Sequence, residues 1–211
     1  MKLCTCPAAA SLTDIPAASC PETFGQIQKI AFQRLRKADG TKNSFTSSAS
    51  ILLKASWTAR MAAADGTKIV ISPYIQAPSQ EAGSPRTFGG GNETLGGVEI
   101  IIGREPSTFT GVIRSVPQSV IKAMKELQCE AQADNLGVYL FDENGAVECV
   151  QDENVATTFY PIPIRSLFIG DKAHGGLEAP DSNAIQFTFL PNYSDDLKIS
   201  VPTDFNPLTD L

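Results

Sequence analysis

The sequence predicts a mainly β protein: a β-sandwich or barrel with one amphipathic α-helix packed against it and a long loop between two strands. Three observations indicate this class. The 16 glycines and 14 prolines are scattered between short apolar runs, a texture typical of strands joined by turns. Apolar residues make up 42% of the 211 residues, enough to fill a core. Helical periodicity with a buried-face pattern is convincing in one segment alone.

The chain divides in this prediction into an extended arm at residues 1–23 and a single β-rich domain at 24–211. The arm is rich in Ala, Ser, Thr, Pro and Cys and follows no period, as is typical of a segment that something else must order. Residues 26–35 then predict a strand, and Asp39-Gly40 ends it. Residues 50–64 contain neither Gly nor Pro and are compatible with a helix by propensity, so their state stays open.

A long loop is predicted at 73–97, after a short strand at 68–72. This segment holds three prolines and six glycines, and a structureless loop of that length in a compact domain is unusual unless it has a function. No helix follows the glycines and no Lys-Ser or Lys-Thr pair closes them, which excludes a phosphate-binding loop. We instead predict that this segment folds onto a neighbouring subunit, with interface residues Gly89, Gly90, Gly91, Asn92, Glu93 and Thr94.

The convincing helix is predicted at about 117–134, after strands at 98–102 and 109–116. Pro117 suits a first helical turn. Apolar residues then recur at helical spacing along one face: Val120, Ile121, Met124, Leu127 and Ala131.

Strands resume after the helix. Residues 137–142 and 146–150 flank Asn144-Gly145, the strongest short signal for a β-hairpin. Residues 159–171 contain Pro161 and Pro163, so this strand region is predicted to lie at a sheet edge or to bend. Segments 185–190 and 197–201 alternate as strands do, which brings the expected total to eight to ten strands.

Catalytic chemistry finds little support in the sequence. The single histidine, His174, sits in a polar turn and cannot build a multi-histidine metal site. Neither a Gly-x-Ser-x-Gly nor a His-Glu-x-x-His motif occurs. The acidic pairs Asp142-Glu143, Asp152-Glu153 and Asp195-Asp196 are adjacent in sequence and typical of solvated turns. We therefore predict that the protein is not an enzyme, with no catalytic residues and no cofactor.

The five cysteines indicate reduced thiols, because the number is odd and the chain is large enough to fold without disulfides. Cys4, Cys6 and Cys20 offer three soft ligands, but no second pair completes a tetrahedral zinc site, so no metal is predicted. Cys129 on the helix and Cys149 in a strand are expected to be small buried groups, and Trp57 is expected in the core. We predict no secretory signal and no membrane-spanning segment.

The charge balance disfavours a protein that grips nucleic acid. With 23 acidic against 17 basic residues the net charge is −6, which leaves no excess of cations for phosphates.

The order of elements over residues 24–211 resembles that of the tail tube, or major tail, proteins of long-tailed bacteriophages. The resemblance rests on the long loop, the helix at 117–134, the Asn144-Gly145 hairpin and the closing strands. The runs at 89–94 and 116–120 also look like those of phage virion proteins of anaerobic gut bacteria.

This resemblance implies homo-oligomeric rings, commonly hexameric, stacked into a tube through which DNA passes on ejection. The partners would be further copies of the chain and other phage tail proteins, with DNA as passing cargo that is not specifically bound, and no membrane. The protein would be made in the cytoplasm of the host bacterium and reside in the virion tail. An acidic lumen agrees with this role because it repels phosphates, and ring closure pairs strand edges between neighbours.

Three other functions remain open from the sequence. A head-tail connector, tail terminator or capsid decoration protein would form one closed ring or knob and no filament. A β-sandwich module that binds a glycan or receptor would present a pocket lined by Trp57 or the tyrosines. A hydrolase would have to depend on His174.

Overall fold

A computed structural model of the chain describes residues 15, 17, 23–47 and 49–211. Most of the predicted arm, with Cys4, Cys6 and Cys20, therefore lies outside the described residues. The described chain is mainly β and contains twelve strands and three helices, which confirms the predicted class. The strands are β1 (Ile27–Arg34), β2 (Ile69–Ile71), β3 (Gln76–Glu81), β4 (Pro85–Phe88), β5 (Ile100–Arg104), β6 (Thr108–Arg114), β7 (Leu136–Asp142), β8 (Val147–Gln151), β9 (Phe159–Tyr160), β10 (Ile162–Ile169), β11 (Ser182–Phe189) and β12 (Leu197–Ser200). The helices are α1 (Lys54–Met61), α2 (Gln118–Gln132) and α3 (Pro207–Asp210).

The chain forms two compact units, which differs from the single domain predicted for 24–211. Of the described residues, 83–105 lie in the smaller unit together with 15, 17 and 23, and residues 24–82 with 106–211 form the larger unit. The predicted loop at 73–97 is also not structureless, because it contains β3 and β4. Both strands are short, polar and contain proline, so their sequences look like loop although their backbones pair with a neighbouring strand.

The larger unit is built on one antiparallel sheet. Its strands follow the order β12, β8, β7, β10, β11, β6, β3, while β1 pairs with both β7 and β2, and β9 pairs with β8. Every residue of β7 is buried, because apolar side chains cover this part of the sheet on both faces.

Two apolar clusters make up the core of the larger unit. On one face of β7, Leu136, Val138 and Leu140 pack with α2 and with β6, β10 and β11. On the other face, Tyr139 and Phe141 pack with residues from α1 and α3 and from the segments that precede these two helices. The alternation of β7 between the clusters is the two-residue period of a strand.

Trp57 on α1 anchors the second cluster and confirms its predicted place in the core. Its side chain is fully buried, and its Nε1 donates to the Ile51 carbonyl at 2.8 Å. The ring centroids of Phe45, Tyr139 and Phe141 lie 4.7, 5.2 and 5.4 Å from that of Trp57. Residues 50–64, for which the sequence leaves the state open, are helical over Lys54–Met61. This helix places Trp57 on the side that packs against the sheet.

Helix α2 confirms the predicted segment and its apolar face. Ile121, Met124 and Ala131 are buried, and Val120 and Leu127 pack partly buried against the same cluster. The prediction that Cys129 is buried is wrong, since this residue is exposed. At about 100° per residue, position 129 lies roughly 150° around the helix from the buried face. Cys149 is buried, as predicted.

The Asn144-Gly145 hairpin joins β7 and β8 as predicted. The Gly145 amide donates to the Asp142 carbonyl at 3.1 Å, and Gly145 has a φ of +81°. Asn144 is not among the residues at positive φ, so the loop is a turn followed by a left-handed glycine instead of a two-residue type I′ turn.

The prediction that Asp142-Glu143 is a solvated turn is wrong for Asp142, because this residue is buried. Its carboxylate accepts from the backbone amides of Asn144, Ala146 and Gly25 at 3.0, 2.7 and 3.0 Å. These bonds satisfy the charge and hold the hairpin loop against the start of β1.

The two prolines at 161 and 163 produce a bend and not a sheet edge. Pro161 separates β9 from β10, and β10 begins in pairing with β7 at Ile162↔Val138. It continues in pairing with β11 from Ile164↔Phe189 onward. The strand therefore changes partner at the prolines while remaining inside the sheet. Within the described chain no helix is long and apolar enough to cross a membrane.

Candidate functional site

Residues 83–105 of the smaller unit form a two-stranded ribbon, and the surface of this ribbon is the most unusual feature of the described chain. Strands β4 and β5 pair antiparallel, with Phe88 opposite Ile100 and Thr87 opposite Ile101. A register shift follows, because Arg86 is opposite Gly103. Ile102 is therefore the extra residue of a β-bulge.

This ribbon exposes apolar side chains that a stable protein normally covers. Six of them are more than half exposed: Phe88, Leu95, Val98, Ile100, Ile101 and Ile102. Because successive side chains of a strand point to opposite faces, Phe88 and Ile100 share one face while Ile101 lies on the other. Among the residues that the structure describes, both faces of the ribbon are thus apolar and exposed, as is typical of a surface that meets another protein.

The six predicted interface residues all lie in the tip loop that joins β4 to β5. The Gly90 amide donates to Thr94 Oγ1 at 3.1 Å, and this hydroxyl donates to the Val98 carbonyl at 2.7 Å. The Glu93 amide donates to the Gly90 carbonyl at 3.2 Å. Thr94 is therefore the organising side chain of the tip, and the contact of these residues with another subunit stays a prediction.

The glycines of the tip are required by its backbone. Gly89, Gly90 and Gly91 have φ values of +84°, +110° and +57°, a region that only glycine adopts at little cost. A Cβ on Gly89 would also lie 2.0 Å from Thr94 Cγ2. The run of glycine thus builds a compact tip, not a flexible linker.

Sequence reasoning missed the apolar part of this surface. The composition of residues 98–102 predicts an ordinary strand, yet Ile100, Ile101 and Ile102 are three consecutive isoleucines without the alternation of a half-buried strand. That unbroken run beside a polar, glycine-rich segment is the signal for a strand with two apolar faces.

His174 lies on the surface and contacts the Asp181 carboxylate. Its Nδ1 lies 3.2 Å from Asp181 Oδ1. The contact with His174 is the largest of the causes that lower the pKa of Asp181. Across the part of the chain that the structure describes, no three His, Cys, Asp or Glu side chains gather as metal ligands.

Glu148 on β8 is a carboxyl group whose surroundings shift its pKa strongly. Burial, and after it the charge of the nearby Asp142 carboxylate, raise the pKa of Glu148 to about 7. Asp152, which follows β8, has its pKa lowered because its carboxylate accepts from the Asn154 amide and the Tyr160 hydroxyl. Both shifts follow from the neighbours of these carboxyls in the fold, and that of Glu148 above all from its burial.

The buried position of Trp57 counts against an aromatic glycan platform. Trp57 and Tyr139 are fully buried, whereas Tyr74 is about half exposed. The predicted pocket lined by Trp57 therefore has no accessible indole to present.

Comparisons with known proteins give distant structural similarities. No protein-family model matches the sequence, and no curated protein matches it. The chain is similar to a chain in the tail of an empty GTA particle with C6 symmetry, at 10% identity and a TM-score of 0.32, covering 61% of this chain and 82% of the other. It is also similar to a chain in the six-fold symmetrised baseplate of the anti-feeding prophage, at 9% identity and a TM-score of 0.33, covering 90% and 98%. Similarity at this level carries no argument about function.

Proposed function

We propose that this chain is a structural subunit of a phage virion, and specifically a tail tube subunit that assembles with copies of itself into stacked rings. The observation that carries the proposal is the β4–β5 ribbon with apolar side chains exposed on both faces. Copies that cover this ribbon would form a conduit for DNA, in which the chain carries no catalytic role.

The energetic reason for assembly follows from the ribbon itself. An isolated two-stranded hairpin is only marginally stable in water. Burial of one large apolar side chain contributes about 1.5–3 kcal/mol, so covering six such side chains supplies several kcal/mol of association energy. A ribbon with two apolar faces is best covered by a partner on each face.

The charge of the chain supports the conduit. The net charge of −6 lets a surrounding wall repel DNA phosphates, so that DNA passes without binding. Two charged side chains of α2 are paired on the surface, Lys125 with Asp171 and Glu130 with Arg34.

Self-association of the purified chain tests the proposal. We expect sedimentation velocity to detect concentration-dependent assembly, and negative-stain microscopy to detect stacked rings roughly 100 Å wide, as six domains of this size would form. A single closed ring that never stacks would instead indicate the connector, terminator or decoration role. A monodisperse monomer at high concentration would contradict the proposal.

A matched pair of variants identifies the surface involved. Phe88 on β4 and Phe168 on β10 are equally exposed, at 56% and 55%. We expect Phe88→Ser to weaken assembly strongly and Phe168→Ser to leave it close to that of the unmodified chain. Equal effects of the two substitutions would count against the ribbon as the assembly surface.

A further inference from the structure

The larger unit contains a groove whose lining combines apolar and basic side chains. Leu35, Pro161, Pro163 and Leu190 form its apolar part, and Arg36 and Lys42 add two cations to its lining. We call this surface the proline groove. Its volume of about 330 Å³ falls within the range of roughly 300–1,000 Å³ that is typical of ligand sites.

The fold builds the proline groove at the point where β10 changes partner. Gly137 on β7 lies beneath it, and a Cβ there would be 2.7 Å from Leu35 Cδ2 and 2.8 Å from Pro161 Cβ. The glycine therefore lets Leu35 and Pro161 lie together across the strand. Since proline has no N–H, the groove offers an apolar surface of side chains and few backbone donors.

Neither cation of the proline groove forms a close ion pair among the described residues, although the charge of Lys42 is the smallest of the causes that lower the pKa of Asp152. Arg36 donates from Nη1 to the Gly40 carbonyl at 2.9 Å, and Lys42 Nζ lies 5.2 Å from the centroid of the Tyr160 ring. Asp134, which also lines the groove, already pairs with Arg165 at 2.7 Å. The groove thus combines an apolar floor with a positive rim.

The tip of the ribbon presents the complementary arrangement. Leu95 is fully exposed, and Glu93 and Glu99 are exposed on either side of it along the chain. Residues 89–99 contain no Lys or Arg. The tip therefore offers one aliphatic side chain between two carboxylates.

We propose that the proline groove of one copy receives the ribbon tip of a second copy, with Leu95 on the apolar floor and Glu93 and Glu99 beside Arg36 and Lys42. The inference rests on the proposed function, because assembly through the ribbon is its premise. Aliphatic burial supplies the affinity, and the charges set which surfaces meet.

Charge reversal on each surface tests the pairing. We expect a tip variant, Glu93→Lys with Glu99→Lys, to weaken self-association at least about tenfold, because like charges then face each other. The groove variant, Arg36→Glu with Lys42→Glu, has the same expected effect. A chain with all four substitutions restores opposite charges and should recover an association constant within about threefold of the unmodified chain.

Controls separate this contact from general surface effects. Leu95 and Leu177 are both fully exposed, so Leu95→Ser should weaken association while Leu177→Ser should not. Unfolding temperatures confirm that each variant is folded.

The outcomes distinguish this inference from the proposed function. If the unmodified chain does not self-associate, both are overturned. A different result overturns the groove contact alone. In that case the unmodified chain self-associates and Phe88→Ser weakens this association, but the charge-reversal variants associate normally or the variant with all four substitutions does not recover. The proposed function then stands.

Discussion

At the residue scale, the larger unit places several charged groups in its interior and satisfies most of them with the backbone. Lys29 on β1 donates to the Leu208 carbonyl at 2.6 Å and to the Leu211 carbonyl at 3.2 Å, and burial lowers its pKa. The Tyr74 hydroxyl donates to the same Leu208 carbonyl at 2.8 Å. These bonds tie α3 to β1. Glu148 differs from Lys29 because burial leaves its charged form poorly compensated.

Glu148 predicts a pH dependence of stability. Its pKa is about 7 in the folded chain and about 4.3 when unfolded. The folded state therefore holds a proton between these values that the unfolded state releases. This contribution to stability is complete below about pH 4.3 and is lost as the pH rises toward 7. The loss cannot exceed about 1.4 kcal/mol per pH unit, because a single proton is involved. Solvent screening of this partly exposed carboxyl reduces it further.

The substitution Glu148→Gln removes the pH-dependent contribution of this carboxyl to stability. We expect the difference in unfolding free energy between the variant and the unmodified chain to grow in favour of the variant from pH 5 to about pH 8. Chemical denaturation at each pH measures it, with Glu143→Gln as a control on an exposed neighbour. Parallel pH profiles for Glu148→Gln and the unmodified chain would contradict the assignment.

Asp142 predicts a stability effect in the hairpin loop. Its carboxylate accepts three backbone hydrogen bonds, so Asp142→Ala leaves three amides without their acceptor. We expect a loss of about 1–3 kcal/mol in unfolding free energy. The neighbouring Glu143 is exposed, and Glu143→Ala should change the free energy by less than about 0.5 kcal/mol. Urea denaturation compares them, and similar values for both would contradict this role of Asp142.

At the element scale, the tip of the ribbon depends on the fit between Gly89 and Thr94. We expect Gly89→Ala to disrupt the tip, because its methyl group would meet Thr94 Cγ2 at 2.0 Å and Gly89 has a φ of +84°. Gly91→Ala has a similar φ cost but nothing within 4 Å, so it should perturb the tip less. Limited proteolysis at the tip and sedimentation velocity measure the two effects.

A rescue variant makes this prediction sharper. Thr94→Ser removes Cγ2 but keeps the hydroxyl that bonds Gly90 and Val98. Adding it to Gly89→Ala should recover part of the protease resistance. No recovery would indicate that the backbone conformation alone, and not the methyl contact, requires glycine at position 89.

The elements that the sequence predicts well are those with local signals. The α2 face and the Asn144-Gly145 hairpin follow from spacing and turn chemistry within a few residues. The sequence does not predict strand β3, because this segment has no alternation of apolar and polar residues. It forms a strand by pairing with β6, although it contains Pro78 and a positive φ of 47° at Ala77.

The candidate site was predicted only in part for the same reason. The glycines of the tip stand out in the sequence. The exposure of Ile100 and Ile101, in contrast, depends on which other parts of the fold pack against the ribbon. Burial of a strand is decided by its neighbours in space, so an apolar run indicates a buried strand by default. The proline groove likewise depends on Leu35, Gly137 and Pro161, which are distant in sequence.

At the scale of the whole molecule, the ribbon is an insertion between two strands that pair with each other. Strand β3 pairs with β6, with Glu81 opposite Thr108, so the chain leaves and re-enters the larger unit at neighbouring positions. The two core clusters contain no residue from 83–105. The larger unit thus holds its core without the ribbon.

Excision of the ribbon therefore separates folding from assembly. Replacing residues 83–105 with Asn-Gly leaves a short loop between β3 and β6, a length that antiparallel strands accept. We expect circular dichroism to detect a cooperative transition within about 5 °C of the unmodified chain, since only a small exposed segment is lost. Sedimentation velocity should detect a monomer at concentrations where the unmodified chain assembles. An excised chain that does not fold would show that the ribbon stabilises the larger unit, and one that assembles as before would move the assembly surface to the larger unit itself.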